Sequence, residues 1–342
     1  MSSVELTDPR PSAGSLTDWA RARKLVIPLA GVLALALLPL VMTSAYQRNL
    51  AILVLLFAIV ASSWDITMGL GGVFNMAHVA LFGLGAYSSA IFTTRTDLSP
   101  WLGLLVGVLA AVVGSVLSFL PCIRLRGIYV ALVTFAFSQL VLYVVISQSE
   151  LTGGYLGLAG VPSLELFGLS FASNNRIGYY YFAAFLFVAS LWVMRLYMRS
   201  KYGLGLVALR DFEEYAVSRG VSVGQHRLGA FMFSAAFAGL AGAVYGHYLG
   251  VVSMEVFDFS SVTLLMSMIL VGGIGTLYGP ALGSAIFTVG TELLVGLDVW
   301  RFMIMAVAII VTMRFFPEGA WPWISRGWKR VMIRFSSTRS PS

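Results

Sequence analysis

Apolar residues gather in ten long blocks separated by short polar breaks, at residues 25–43, 49–69, 72–93, 101–120, 127–148, 178–198, 228–250, 260–275, 278–296 and 300–316. A bilayer core of roughly 30 Å asks for about 20 consecutive apolar residues in a helix, and these blocks supply them repeatedly. The pattern predicts an all-α, polytopic membrane protein of about ten transmembrane helices over residues 25–316. Gly272, Gly273 and Gly275 fall at the junction of the eighth and ninth blocks and mark a broken or re-entrant element. Interrupted backbone survives in lipid only where protein or a water-filled cavity surrounds it. On a larger scale the apolar pattern yields once, to a polar island, RSKYGLGLVALRDFEEYAVSRGVSVGQHR, at residues 199–227.

Composition agrees: 58% of the 342 residues are hydrophobic and only 11% are charged, which is the balance of a membrane protein and not of a soluble domain. With the N-terminus inside and ten crossings, 18 of the 22 Lys and Arg fall on the inner side, leaving only Arg48, Arg95, Arg176 and Arg301 outside. That asymmetry is the positive-inside rule, and it predicts both termini to be cytoplasmic. The net charge of +7 is thereby accounted for by topology, with no nucleic-acid partner implied. Residues 1–24 carry Glu5, Asp8 and Asp18 before a long apolar run, so they read as a disordered cytoplasmic segment ahead of an uncleaved helix. Residues 317–342 read as a basic cytoplasmic tail. One cysteine, Cys122, and three scattered histidines have no metal-ligand spacing, so no metal site is expected.

Within the island, residues 206–220 predict a short amphipathic helix with Leu209, Phe212 and Ala216 on one stripe and Gly220 as its C-terminal stop. Such a helix needs an external surface. A groove on a soluble partner and the lipid headgroups are both compatible with it.

Within the apolar blocks, Asp65, Asn75, His78 and Glu292 are the polar candidates for a translocation path. A charge there is costly enough to face protein or water, whether it lines a path or hydrogen-bonds the bundle together. Asp65 and His78 lie in the inner halves of the second and third blocks, where they are expected to be able to pair. Gly83, Gly85 and Ala86, and Gly239, Ala241 and Gly242, are small-residue clusters suited to close helix packing. The paired glycines Gly71 and Gly72, and Gly272 and Gly273 with Gly275, are candidates for unwound or hinged backbone.

Three ordered blocks carry a resemblance. The island's Glu213 or Glu214, with Ala216 and Gly220, resembles the coupling loop of ABC-importer permeases, with Tyr215 where a small residue is usual. Residues 210–250, including LGAFMFSAAFAGLAGAVYGHYLG, resemble the permeases for branched-chain amino acids, the LivM type. MGLGGVFNMAHVALFGLGAYSSAI at 68–91 and MILVGGIGTLYGPALGSAIF at 268–287 resemble two further elements of that family, which most often has an amide at the position of Asp65.

The resemblance implies a bacterial inner-membrane permease subunit of an ABC importer for branched-chain or other hydrophobic amino acids. It assigns Leu209, Phe212, Glu213, Glu214, Ala216 and Gly220 to ATPase coupling. It further implies a second homologous permease, two ABC ATPase subunits and a periplasmic solute-binding protein; the outer segment 149–176 is compatible both with part of the surface that receives the latter and with a simple packed outer loop. The chain has no GxxxxGK[ST] sequence, so ATP and Mg are expected on the partner subunits and no cofactor or catalytic residue on this one. A permease for urea or short amides shares nearly all these blocks. A stand-alone ion-coupled transporter is the alternative of a different class, favoured if Asp65, His78 and Glu292 form a relay.

Overall fold

The computed structural model describes residues 44–96, 98–166, 169–171, 176–297, 300–315 and 319–323, with 31, 33, 35–39 and 42. The expected first span at 25–43, the segment 1–24 and the tail 317–342 lie mostly outside them. Residues 1–44 form one unit, helical at 35–39, and residues 45–342 form another.

The second unit is a helical bundle. Its elements are α1 (Ala45–Asp65, continued by a π-helical turn Ile66–Leu70), α2 (His78–Thr96), α3 (Pro100–Phe119), α4 (Ile128–Ser147), α5 (Ile177–Arg199), α6 (Lys201–Asp211), α7 (Glu213–Ser218), α8 (Val223–Leu249), α9 (Phe259–Gly272), α10 (Gly279–Leu293) and α11 (Trp300–Phe315). Five of these, at 45–70, 100–122, 128–147, 177–199 and 223–249, are long and apolar enough to cross a membrane. The chain is an all-α, polytopic membrane protein.

Side-chain size explains how the helices face. Along α3, Leu102, Leu105, Leu109, Val113 and Leu117 are exposed, whereas Gly103, Gly107, Ala111, Gly114, Ser115 and Ser118 are buried. This inverts the amphipathicity of a soluble helix. Lipid solvates leucine well, so helices associate through small residues that let backbones approach. Gly85 of α2, Gly107 of α3 and Gly239 of α8 meet in this way. A Cβ at Gly85 would lie 2.5 Å from the Gly239 Cα, and one at Gly107 would lie 2.7 Å from the Gly85 carbonyl oxygen. The expected packing clusters are thus the centre of the α2, α3 and α8 contact.

Two expectations change in detail. The block at 72–93 is helical only from His78, and residues 72–77 are irregular. Gly72 holds φ +65°, and the Asn75 side chain accepts the Ala77 N–H at 2.9 Å, so the polar residue ends the irregular stretch and opens α2. The eighth and ninth blocks are α9 and α10, of 14 and 15 residues. At 1.5 Å per residue each rises only about 21–23 Å, short of a roughly 30 Å core. They form a tight pair, since a Cβ at Gly283 would sit 1.8 Å from the Met268 carbonyl oxygen.

Helices alternate in direction. One end gathers the π turn, residues 120–127, the island and the turn at 273–278; the other gathers 148–166 and 250–258. At this second end β1 (Leu158–Ala159) pairs antiparallel with Val251–Val252. His247 ties the outer segment down: its Nδ1 donates to the Pro162 carbonyl at 2.7 Å, and its Nε2 accepts from Ser89 Oγ at 2.8 Å. A carbonyl can only accept, which fixes that tautomer.

Candidate functional site

The island folds as two helices and not one. α6 starts where Ser200 Oγ accepts the Gly203 N–H, and it ends at Phe212, whose φ of −148° and ψ of 79° break the helix. α7 follows with Glu213 and Glu214 in its first turn, where carboxylates complement the positive end of the helix dipole. It stops at Gly220, φ +86°, in a Schellman arrangement: Gly220 N–H donates to the Val217 carbonyl at 2.9 Å and Val221 N–H to the Ala216 carbonyl at 3.1 Å. The break resets the helical phase, which corrects the single stripe expected over 206–220. Leu209 and Ala216 turn inward and are buried within the chain. Phe212, Tyr215 and Val217 point outward, with Phe212 73% exposed, and Glu214 is exposed beside them.

The adjacent glutamates have different surroundings. Glu213 is stapled inward, its Oε1 3.1 Å from Arg126 Nη2 and its Oε2 2.8 Å from Arg227 Nη2. These arginines stand in the α3–α4 connection and at the start of α8, so Glu213 fixes the island to two other elements. Glu214 is left on the outward face with Phe212 and Tyr215.

Arg210 connects the island to the bundle. Its Nη1 donates to the Gly69 carbonyl at 3.0 Å, and its Nε pairs with Asp211 at 2.8 Å. Gly69 sits in the π turn, where terminal carbonyls lack intrahelical donors, and Arg210 supplies one. The stem of Arg210 lies over Gly72, so close that a Cβ there would come within 2.6 Å of Arg210 Cγ.

On the other side of the π turn stands Asp65, fully buried. Its Oδ1 accepts the Gly275 N–H at 2.7 Å and its Oδ2 the Leu277 N–H at 3.3 Å. The turn it holds is contorted: Gly273 and Gly275 have φ of +120° and +73°, and Leu277 has φ +55°. Gly69 permits the contact, since a Cβ there would lie 2.1 Å from Asp65 Oδ1 and 2.4 Å from the Gly275 nitrogen. Island, π turn and the α9–α10 turn thus form one chain of direct contacts. Gly71 and Gly72 lie at one joint of it, and Gly272, Gly273 and Gly275 at the other.

His78 and Asn75 belong to a neighbouring network. Ser63 Oγ donates to the Val60 carbonyl at 2.8 Å, so His78 Nε2, 2.9 Å away, must be the donor to Ser63. The His78 ring stacks on Trp64 at 5.6 Å, and Trp64 Nε1 donates to the Asn75 carbonyl at 2.6 Å. Asp65 and His78 therefore do not pair. Ser63 and Asp65 are two residues apart, about 200° around a helix, and they send the two groups to opposite sides. Glu292 is elsewhere again, near the other end of the bundle, where the Tyr46 hydroxyl meets it. Three of the four polar candidates share one end and the fourth does not join them. Arg126, Arg210 and Arg227 also contribute, though along the sequence they register only as positive charge on the inner side. Their contacts, the Gly69 bond spanning 141 residues among them, leave no local pattern.

Comparison with known proteins gives the family. The family described as branched-chain amino acid transport system / permease component matches residues 46–313. The chain is 29% identical over 316 residues to the high-affinity branched-chain amino acid transport system permease protein LivM of Escherichia coli, covering 86% of this chain and 74% of that one. It is 25% identical over 255 residues to a probable branched-chain amino acid transport permease protein LivM of Methanocaldococcus jannaschii, covering 69% and 71%. It is 24% identical over 191 residues to the nucleoside ABC transporter permease protein NupC of Lactococcus lactis, covering 51% and 59%. No solved structure matches the chain significantly. With the family match spanning the whole bundle from α1 to α11, the chain belongs to the branched-chain amino acid transport system permease family.

Proposed function

We propose that this chain is the membrane-spanning permease subunit of an ATP-driven importer for branched-chain or other hydrophobic amino acids. It works in a bacterial inner membrane, with about ten crossings and the island on the cytoplasmic side. The observation that carries the reading is the island itself: an outward face of Phe212, Glu214, Tyr215 and Val217, on a helix pair anchored from behind by Glu213 and Arg210. A face this apolar at the charged end of a membrane protein fits a groove on a soluble partner. The partner is an ABC ATPase, two of which serve this chain and a second homologous permease, with a periplasmic solute-binding protein delivering substrate at the opposite end. ATP and Mg belong to the ATPases. This chain hydrolyses nothing.

Closure of the ATPases on nucleotide moves α6 and α7 together, because Phe212 alone separates them, its N–H donating to the Ala208 carbonyl and its carbonyl accepting the Ala216 N–H. Arg210 passes that displacement to Gly69 and the π turn, and Asp65 passes it to the turn between α9 and α10. Packed cores change state by switching between discrete arrangements, so a small push at such a joint can flip the bundle between inward and outward access. Affinity co-purification tests the docking. The full chain, expressed with its partner permease and ATPases, is expected to retain the ATPases, and Phe212→Asp is expected to lose them while keeping the partner permease. Undiminished ATPase recovery with Phe212→Asp would contradict the assignment.

A further inference from the structure

The chain of contacts from Arg210 through Asp65 lies at the ATPase end and leaves open where the substrate sits as it crosses. We infer that a cavity in the opposite half of the bundle holds one amino-acid molecule in transit, its branched side chain against Phe57, Phe82 and Tyr245 and its ammonium group at Glu255. This rests on the importer reading and deepens it.

The cavity has a volume of about 160 Å³ and lies where α1, α2, α8 and α9 meet the segment 253–261. Its wall is an aromatic trio with one ring from each of three helices. Phe57 to Phe82 is 6.4 Å between centroids, Phe57 to Tyr245 6.2 Å and Phe82 to Tyr245 5.4 Å, all tilted. Leu264 and Leu265 of α9 complete the apolar part. A cavity of about 150 Å³ lined by apolar side chains accepts benzene, so this one takes an isobutyl or sec-butyl group with little room to spare. It is too small for a base and ribose together.

Polarity is confined to the rim and the floor. At the rim stand Ser253, Ser261 and Glu255, on the side away from the island. Glu255 is exposed and has no ion pair among the described residues, which leaves its carboxylate free for an incoming ammonium group. Tyr245 lines the same cavity, and its ring offers a cation–π contribution to an ammonium group held there. At the floor, Val79 directly follows His78 and Phe82 is one helical turn further on. With His78 Nε2 donating to Ser63, its Nδ1 is a buried acceptor without a partner, and Asn75 Nδ2 is a buried donor without one. Buried polar atoms are nearly always hydrogen-bonded, and an acceptor and a donor left over below an amphiphile-sized cavity suit a polar headgroup moving past. Rim, trio and floor line up from the delivery end toward the π turn that the island controls.

The test is the number of leucine molecules imported per ATP hydrolysed by the complete transporter in proteoliposomes, with binding protein supplied. Leu264→Trp fills the cavity, and Glu255→Gln removes the charge. Each is expected to lower that ratio by about tenfold, the cost of one charge-assisted contact or one lost fit, while ATPase activity and subunit recovery stay at wild-type level. A docking or folding defect would lower uptake and ATPase activity together. An unchanged ratio in Glu255→Gln overturns the placement of the ammonium group, and an unchanged ratio in both variants overturns the site, with the importer reading intact. If the wild-type assembly shows no ATP-dependent leucine uptake in the same vesicles, the importer reading falls and takes this inference with it.

Discussion

Replacing Arg210 by methionine isolates the joint between island and bundle. Methionine keeps most of the stem that lies over Gly72 and removes the guanidinium, so packing changes little and two polar contacts go. The pair with Asp211 joins side chains that are 35% and 46% exposed, and solvent screening holds its worth below about 1 kcal/mol. The bond to the Gly69 carbonyl is part-buried and has a charged donor, which places it at about 1.5–3 kcal/mol. Taking about 2 kcal/mol as the free energy linking island to π turn, its loss weakens coupling by roughly thirtyfold. The assay is leucine uptake per ATP hydrolysed in proteoliposomes, with the ATPases shown to be still bound. Arg210→Met is expected to hydrolyse ATP at close to the wild-type rate and import little. Arg210→Lys keeps the charge without the planar fork and should fall in between. An Arg210→Met transporter that imports leucine at the wild-type ratio would refute the joint.

Other variants probe the neighbouring contacts. Asp65→Ala leaves the buried Leu277 N–H without an acceptor, at about 1–3 kcal/mol, and the part-buried Gly275 N–H to solvent at less, and should lower the melting temperature of the purified chain and abolish uptake. Gly72→Val forces a β-branched residue to φ +65° and into Arg210, a cost of about 1–2 kcal/mol from the backbone alone; it should reproduce the uncoupling of Arg210→Met with ATPases still bound. The two glutamates should separate cleanly. Glu213→Gln weakens the anchors to Arg126 and Arg227, by up to about 1 kcal/mol, in a way that high salt masks, whereas Glu214→Arg should cost ATPase recovery without changing thermal stability.

The bundle was legible because lipid imposes a simple rule on sequence. The expected blocks 101–120 and 127–148 correspond to helices at 100–119 and 128–147, and the small-residue clusters around Gly85 and Gly239 are indeed where backbones meet. Legibility failed where a polar side chain overrode hydropathy. Residues 72–77 continue the apolar run, yet Asn75 turns its side chain onto the Ala77 N–H and delays α2 to His78. In the island, helical periodicity assumes unbroken phase, and Phe212 breaks it; Leu209 and Ala216 consequently pack inward while Phe212 alone of that stripe faces out. The site was half legible. Asp65, Gly72 and Gly275 stood out as a costly charge and as flexible backbone, but that Asp65 holds the 273–278 turn and not His78 depends on which helix lies behind each residue. Such a fact belongs to packing, and spacing along one chain does not encode it.

Import driven by ATP is what separates this permease from an ion-coupled carrier. Its most direct measurement is uptake of labelled leucine into proteoliposomes that contain the chain, its partner permease and the ATPases, with binding protein and ATP each supplied or withheld. Uptake that needs both, and that excess unlabelled isoleucine or valine suppresses while a nucleoside does not, is the expected result. Leucine uptake by this chain alone under a proton or sodium gradient, indifferent to ATP, would contradict it.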